Sequence, residues 1–213
     1  LAAAAVRDAE GLLERGADWD RKMKLKVSRG VLAVMRRDLA GAADLFLDTL
    51  ATFSCYEMFG DADFVGLAAA VAVPALGRAQ LRERLLAAPE FAAVADRLGG
   101  LGTLAVALQT CSYGSFFPAL AEALATMKAK WVLAPHAEFI CAEMRVRAYA
   151  QMLECYRTVQ LEAMARDFGV SVDFLDAELS HFISVGRLNG KIDKIAGVVE
   201  TTRPDSHNLL YQN

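Results

Sequence analysis

The sequence predicts a mainly α protein: a tetratricopeptide-like (TPR-like) α-solenoid of helical hairpins, followed by a winged-helix subdomain with a small β-hairpin. Three observations predict this fold class. Apolar side chains recur at helical spacing through most of the first 160 residues, with short connections between segments. Two helices joined by a glycine turn follow, at Leu161–Phe168 and Val172–Val185. The apolar period then changes toward that of a strand, over Lys191–Ile195 and Val198–Thr202.

The predicted winged helix has local signals that suit its helices and turns. Ser171 precedes the second helix, where a hydroxyl can accept a backbone hydrogen bond as an N-cap. Gly169 and Gly186 follow the two helices, at the position that often adopts a left-handed conformation. Ala196-Gly197 is predicted as the turn between the strands, and Pro204 ends the ladder because it has no N–H to donate. The second helix has one apolar stripe, formed by Val172, Leu175, Leu179, Phe182, Ile183 and Gly186.

The chain before the winged helix is predicted to form consecutive helical hairpins. Gly30, Ala42 and Phe46 keep the small, small and large spacing of a tetratricopeptide-type hairpin, in which small residues let two helices approach and Phe fills the gap. Pro74 and Pro118 are expected to end, start or kink their helices. The predicted helices are Leu1–Arg15, Trp19–Met35, Leu39–Phe53, Ala62–Leu76, Ala79–Leu86, Glu90–Leu98, Leu101–Thr110, Phe116–Lys130 and His136–Tyr156.

The predicted organisation has three parts. Helical repeats occupy residues 1–157, a winged helix occupies residues 158–204, and a polar tail occupies residues 205–213. Each hairpin of a solenoid packs on its neighbours, so we expect further repeats before Leu1. We also expect the tail to lead to a C-terminal helix. Because the sequence starts at Leu1 and not at Met, an upstream targeting segment stays open.

Composition gives no global sign of a nucleic-acid or membrane partner. The 213 residues are 55% hydrophobic and carry a formal net charge of −3, and the longest apolar runs, such as Val65–Leu76, are too short to span a bilayer. The four cysteines, Cys55, Cys111, Cys141 and Cys155, are scattered singly. Cys141 and Cys155 lie roughly 21 Å apart along one predicted helix and cannot form a disulfide. We therefore predict buried free thiols in a reducing compartment.

Motifs for catalysis or ligand binding are nearly absent from the sequence. It contains no Walker A pattern, no His-Glu-x-x-His, no Gly-x-Ser-x-Gly and no Cys-x-x-Cys. Gly100-Leu-Gly102-Thr-Leu-Ala105 resembles the dinucleotide fingerprint, but it joins two predicted helices instead of following a strand, which favours a plain loop. His136, His181 and His207 are far apart in sequence. We therefore expect no enzymatic activity, no cofactor and no metal.

Charged clusters are predicted to occupy helix ends and solvated faces. Asp61 and Asp63 stand at the start of a predicted helix, where the dipole favours negative charge, and Asp173, Asp176 and Glu178 on the winged helix receive the same interpretation. The strongest basic feature is a run on one predicted helix, formed by Arg21, Lys22, Lys24, Lys26 and Arg29. A solvated face is the first interpretation of this run, an acidic protein partner the second, and nucleic acid a minor one, because no aromatic residues are interleaved.

The winged helix itself is predicted to bind protein and not DNA. Residues 161–203 contain seven acidic and five basic side chains, and the helix that would enter the major groove is acidic. A winged helix that does not bind DNA usually presents its hairpin edge to another protein, by sheet extension. The residues predicted to form this interface are Lys191, Ile192, Asp193, Ile195, Val198, Val199 and Glu200.

The run from Phe168 to Ile195, followed by residues 198–206, resembles the winged helix of PCI domains. PCI domains are helical repeats closed by a winged helix, and the proteasome lid, the COP9 signalosome and translation initiation factor three share them. Further stretches resemble the proteasome-lid members: Asp18-Trp-Asp-Arg with Leu25-Lys-Val, Ala43-Asp-Leu-Phe-Leu-Asp-Thr, and Leu133-Ala-Pro-His leading to Glu143-Met-Arg. The Ala-Pro-His piece also occurs in a COP9 signalosome subunit.

This resemblance spans Asp18 to Gln212 and implies a non-catalytic scaffold subunit of the proteasome lid, acting in ubiquitin-dependent degradation in the cytoplasm and nucleus. The implied partners are other PCI subunits of the lid, the lid deubiquitinase and the proteasomal base, with no nucleic acid and no membrane. A COP9 signalosome scaffold and a nucleic-acid-binding PCI protein stay open as alternatives. The family has no catalytic residues to transfer, and its interface transfers only to Lys191–Ile195 and Val198–Thr202.

Overall fold

The computed structural model describes residues 18–201, and most of them are helical. The helices are Trp19–Met35 (α1), Leu39–Thr49 (α2), Asp61–Ala75 (α3), Arg78–Leu81 (α4), Pro89–Val94 (α5), Gly100–Thr110 (α6), Phe116–Lys128 (α7), Ala137–Leu153 (α8), Leu161–Phe168 (α9) and Val172–Ser184 (α10). The strands are Thr158–Gln160 (β1), Lys191–Asp193 (β2) and Val198–Glu200 (β3). The chain divides into two compact units, Leu1–Met144 and Arg145–Asn213.

Helices α1 and α2 form the hairpin that the small-residue spacing predicted. Gly30, Ala42 and Phe46 are all buried, and a Cβ atom at Gly30 would lie only 2.2 Å from Cε1 of Phe46. The missing side chain at Gly30 is therefore what gives the Phe46 ring its place between the two helices. Asp38 fixes the turn between them, because its Oδ1 atom accepts a hydrogen bond from the Gly41 N–H at 2.9 Å.

The glycine-rich stretch at residues 100–105 forms the first turns of α6, which agrees with the helix predicted from Leu101 and not with a plain loop. A Cβ atom at Gly100 would lie 2.2 Å from the carbonyl oxygen of Ala119 on α7, and one at Gly102 would lie 2.9 Å from the carbonyl oxygen of Ala95. Both obstacles are backbone atoms. These two glycines allow close packing of helix backbones, and the stretch follows no strand that would make it a dinucleotide turn.

Several helix ends differ from their predicted positions. Pro74 lies inside α3, one residue before that helix ends, and Pro118 lies in the first turn of α7, where a missing N–H costs least. The predicted helix at Ala79–Leu86 is a single α-turn followed by a π-helical segment, Arg82–Leu86. Short 3-10 segments lie at Leu50–Thr52, Ala95–Arg97, Tyr113–Ser115 and Ala134–His136. The predicted helix at Leu1–Arg15, the strand end at Thr202, Pro204 and the tail lie outside the described residues.

The second unit contains the predicted helix pair and a three-stranded antiparallel sheet with the order β1-β3-β2. Gly169 follows α9 with a φ of 68°, and the Ser171 hydroxyl accepts a hydrogen bond from the Phe174 N–H at 3.3 Å, as the sequence predicted. The core of this unit includes the fully buried side chains of Phe168, Leu175, Leu179 and Val199. Together with the helical hairpins of the first unit, this arrangement confirms the predicted fold class.

Strand β1 was not predicted, and its presence changes the role of the hairpin. Val159 of β1 pairs with Val199 of β3, whose other neighbour is Ile192 of β2. Strand β3 is therefore the central strand of the sheet. Strand β1 has only three residues and one buried side chain, Val159, so its periodicity was too short to read from the sequence.

Candidate protein-interaction surface

The outer edge of β2 is the first candidate for contact with another protein. One side of β2 pairs with β3, in the register Lys191 with Glu200 and Asp193 with Val198. Within residues 18–201, no strand pairs with its other side. An edge of this kind presents backbone N–H and C=O groups that a strand from another chain can pair with.

The structure sorts the seven predicted interface residues by exposure. Lys191, Asp193, Ile195 and Glu200 are exposed, and Ile192 and Val198 are half-buried. Val199 is fully buried in the central strand, so its side chain belongs to the core of the winged helix. A partner could reach the exposed and half-buried members directly, whereas Val199 contributes by holding the hairpin in place.

The turn of the wing, residues 194–197, is held by several hydrogen bonds. Oδ1 of Asp193 accepts from the N–H groups of Ile195 at 2.9 Å and Ala196 at 3.0 Å. Gly197 takes a φ of 66°, which glycine adopts without strain, and its carbonyl oxygen accepts from the N–H of Leu161 at 2.9 Å. The Ile195 side chain is 101% exposed on this fixed backbone.

The acidic side chains of α10 have three different environments. Asp173 is exposed in the first helical turn, as predicted. Oδ2 of Asp176 pairs with Nζ of Lys194 in the wing, at 2.9 Å. The prediction of a solvated face is wrong for Glu178, because its side chain is only 17% exposed and Oε2 lies 2.9 Å from Nε of Arg145. Tertiary packing turns this carboxylate inward, toward α8.

The hydroxyl of Tyr149 joins the same cluster, and sequence reasoning missed it. It donates to Oε2 of Glu178 at 3.5 Å, and the Tyr149 ring is fully buried against Phe168. Burial, reinforced by the nearby Glu178 charge, raises the pKa of Tyr149 well above its usual value. One indication of this cluster was present in the sequence: Arg145 is the last residue of Glu143-Met-Arg, a stretch that resembles the proteasome-lid proteins.

The basic run on α1 is only partly a free solvated face. Nζ of Lys24 lies 3.1 Å from Oε2 of Glu57 and 3.5 Å from Oδ2 of Asp20, and the hydrogen bond to Glu57 raises the pKa of Lys24. Lys22 and Lys26 are exposed, as expected for a solvated face. Because Lys24 is engaged with its own chain, the run offers fewer free cations than the sequence suggested.

The other acidic pair and the histidines that the sequence analysis singled out lie on different elements where the structure describes them. Asp61 and Asp63 lie in the first turn of α3, as predicted, and Asp63 also pairs with Lys130. His136 ends a 3-10 segment, His181 is exposed on α10, and His207 lies outside the described residues. Residues 18–201 contain no group of three or more His, Cys, Asp or Glu side chains placed to hold a metal ion.

No helix in this range combines the length and the apolar character needed to cross a membrane.

Within residues 18–201 the four cysteines form no disulfide, but they are not uniformly buried. Cys55 and Cys141 are buried, Cys111 is half-buried, and Cys155 is exposed, so the prediction of burial is wrong for Cys155. Burial raises the pKa of the Cys55 thiol, with a further contribution from the Asp20 carboxylate. Cys155 lies just after the end of α8, where the chain leaves the helix before β1.

Two families match separate parts of the chain. The family described as 26S proteasome subunit RPN7 matches residues 1–84, and the PCI domain matches residues 120–203. The helical hairpin at α1 and α2 lies in the first match, and the winged helix lies in the second.

Similar proteins cover the chain from end to end. The chain is 42% identical over 212 residues to the 26S proteasome non-ATPase regulatory subunit 6 homolog of Arabidopsis thaliana, a match that covers 100% of the chain and 55% of that protein. It is 38% identical to the 26S proteasome regulatory subunit rpn7 of Schizosaccharomyces pombe, covering 94% of the chain and 52% of that protein. The corresponding values for subunit RPN7 of Saccharomyces cerevisiae are 37%, 94% and 48%.

The chain thus spans about half the length of the curated relatives that it matches. The helical hairpins, the winged helix and the two family matches agree with one another over that span. The chain therefore contains a PCI domain over residues 120–203, and over its length it is similar to regulatory subunit 6, or RPN7, of the 26S proteasome.

Proposed function

We propose that this chain is part of a non-catalytic scaffold subunit of the 26S proteasome lid, which assembles with other PCI subunits for ubiquitin-dependent protein degradation. The observation that carries the proposal is the similarity, over nearly all of the chain, to proteins named as 26S proteasome regulatory subunits. The proposed partners are other lid PCI subunits, the lid deubiquitinase and the proteasomal base. The proposed location is the cytoplasm and nucleus.

The proposed domain organisation is helical repeats over residues 1–157 and a winged helix over residues 158–204. Within the winged helix, the proposed assembly surface is the wing hairpin. The open edge of β2 supports this assignment, because an unpaired ladder edge can add a strand from a neighbouring subunit. The proposed interface residues are Lys191, Ile192, Asp193, Ile195, Val198, Val199 and Glu200, of which Val199 acts from the core.

A protein partner is also favoured over nucleic acid by the charge of the winged helix. Asp173 is exposed in the first turn of α10, the helix that would enter a major groove, and Asp176 lies one turn further along. Phosphate contacts supply most of the affinity for DNA, so carboxylates on this helix oppose it.

Affinity purification of the full-length protein from its own cells, followed by mass spectrometry, tests the proposal. We expect proteasomal ATPases, PCI subunits of the lid and the lid deubiquitinase to copurify. Copurification of COP9 signalosome subunits would move the assignment to that complex. Recovery of RNA or DNA complexes without either set of subunits would contradict the proposal.

A further inference from the structure

We propose that the turn of the wing and the cleft beside it form a second protein-docking surface, which takes a basic segment of another polypeptide that also offers an apolar pocket. The cleft has a volume of about 390 Å³ and is lined by side chains that include Glu162, Val172, Asp173, Asp176, Lys194 and Ala196. We call these residues, with Ile195, the wing-tip surface. No residue of β2 lines the cleft, so this surface differs from the β2 edge and shares only Ile195 with the interface residues proposed above.

Ile195 is suited to be an apolar anchor, because hydrogen bonds hold its backbone in place while its side chain is exposed to solvent. The N–H groups of Ile195 and Ala196 both donate to Oδ1 of Asp193, and the Gly197 carbonyl accepts from Leu161. The side chain between these bonds is 101% exposed. A turn that is already ordered loses little conformational entropy on binding, so burial of Ile195 would contribute most of its hydrophobic free energy to affinity.

The cleft beside Ile195 continues this surface with both apolar and acidic side chains. Val172 is 38% exposed, and it adds apolar area next to Ala196. The charged side chains that line the cleft are three carboxylates, Glu162, Asp173 and Asp176, and one ammonium group, Lys194. That ammonium group is already within 2.9 Å of Oδ2 of Asp176, so the other two carboxylates dominate the charge available to a partner.

Asp176 adds a specific reason to expect a donor from outside the cleft. Its Oδ2 atom accepts from Lys194, while its Oδ1 atom is shielded from solvent and has no hydrogen-bond partner within the described residues. A shielded carboxylate oxygen without a donor is costly, and a cation that reached Oδ1 would relieve that cost. Lys and Arg are the side chains that supply such donors.

The charge of the surface decides between the possible classes of partner. A nucleic acid or an anionic lipid surface would bring phosphates toward Glu162 and Asp173, which is unfavourable. An acidic peptide meets the same repulsion. A basic protein segment gains charge-assisted hydrogen bonds in the cleft and covers Ile195 with apolar side chains, so it is the occupant that matches both features.

Site-specific photo-crosslinking in the full-length protein, in its own cells, tests this inference. Benzoylphenylalanine replaces Ile195, and the crosslinked peptides are sequenced by mass spectrometry. We expect the crosslinks to fall on one segment of another polypeptide that has a net positive charge and apolar residues next to the crosslinked position. We expect Asp173→Lys to reduce the crosslink yield by about tenfold, which corresponds to about 1.4 kcal/mol.

Two further variants keep the result interpretable if a single substitution disturbs folding. Asp167→Lys makes the same charge change on an exposed residue of α9 that does not line the cleft, and it should retain the crosslink. In the Asp173→Lys variant, changing a Lys or Arg of the crosslinked segment to Glu should restore the crosslink yield, because the charge pair is then re-formed with its signs reversed. Absent crosslinks, crosslinks to acidic segments or nucleic acid, or equal yields for the two charge variants would overturn the inference. The purification described above would still recover lid subunits in that case.

Discussion

The Nε atom of Arg145 lies 2.9 Å from Oε2 of Glu178, and the hydroxyl of Tyr149 lies 3.5 Å from the same oxygen. Two residues of α8, one turn apart, therefore meet one carboxylate of α10. Both charged side chains are less than a third exposed, so water only partly solvates them. This cluster links α10 to the part of α8 that lies in the second unit, and through the Tyr149 ring it adjoins the apolar core around Phe168.

Glu178→Gln should lower the free energy of unfolding by about 1–3 kcal/mol, because it leaves the Arg145 guanidinium half-buried without its counter-charge. Urea denaturation followed by circular dichroism measures this change. The cycle with Arg145→Met isolates the pair, and we expect the double variant to be more stable than the sum of the single changes predicts. Additive effects would show that the two side chains act separately.

Tyr149→Phe should change how stability depends on alkaline pH. The pKa of Tyr149 is raised in the folded chain, so between the unfolded value near 10 and the folded value the folded state holds a proton that the unfolded state has lost. Wild-type stability should therefore fall as pH rises above 10, by up to about 1.4 kcal/mol per unit from this group. The difference in unfolding free energy between the two proteins should be constant below that pH and shrink above it. Parallel curves from pH 8 to 11 would count against it.

Gly30→Ala should destabilise the first unit by about 1–3 kcal/mol, because the new methyl group would lie 2.2 Å from the buried ring of Phe46. Gly66→Ala on α3 is a matched control. There the new Cβ would lie 3.5 Å from Cδ2 of Leu98, an ordinary contact, so the higher helix propensity of Ala should raise stability by up to about 1 kcal/mol. Denaturant midpoints of the two variants should move in opposite directions. Equal shifts would contradict the packing role of Gly30.

Ile192→Asp should reduce the recovery of lid subunits by about tenfold or more, because a charge on the edge strand opposes the addition of a neighbouring strand. Val185→Asp places the same charge at an exposed valine outside the sheet and should leave recovery unchanged. Quantitative mass spectrometry of purified complexes measures both. Full recovery with Ile192→Asp would remove the β2 edge from the proposed interface.

The cysteines should differ in their reaction with N-ethylmaleimide under native conditions. Cys155 is exposed and should react first, whereas Cys55 is buried and its raised pKa leaves less of the reactive thiolate. Mass spectrometry of peptides taken over time measures the order. Cys155→Ser should abolish the first mass shift. Rapid labelling of Cys55 in that variant would contradict the prediction, because it would show that the residues that bury Cys55 unfold locally.

Much of the helical part could be predicted because the signals are local. The predicted bounds of Trp19–Met35 and Leu161–Phe168 match α1 and α9, since amphipathic spacing and helix ends lie within a few residues of each other. The helix predicted from Leu101 covers most of the glycine stretch at residues 100–105, but the close contact that Gly100 permits could not be predicted. That contact depends on the backbone of α7, which has no signature next to Gly100 in the sequence.

The candidate surface was predictable in place but not in detail. The apolar alternation located the wing hairpin, yet it gave no sign that β1 would make β3 central and leave β1 and β2 as the two edge strands. Charge counting found the acidic character of α10 but placed Glu178 with the solvated acids, although Arg145 holds it inward. The strand order and the position of the Glu178 side chain both depend on contacts between residues that are far apart in the chain. Composition and local pattern contain no information about such contacts.

The sequence by itself determined the mainly helical class, the helix-turn-helix of the winged helix and its caps at Ser171 and Gly169, because each depends on a few neighbouring residues. Only the tertiary structure decided which strand has a free edge, which carboxylate is buried and which glycine admits a neighbouring helix. These features arise where segments distant in sequence pack against each other, and packing selects among side chains that local patterns treat as equivalent.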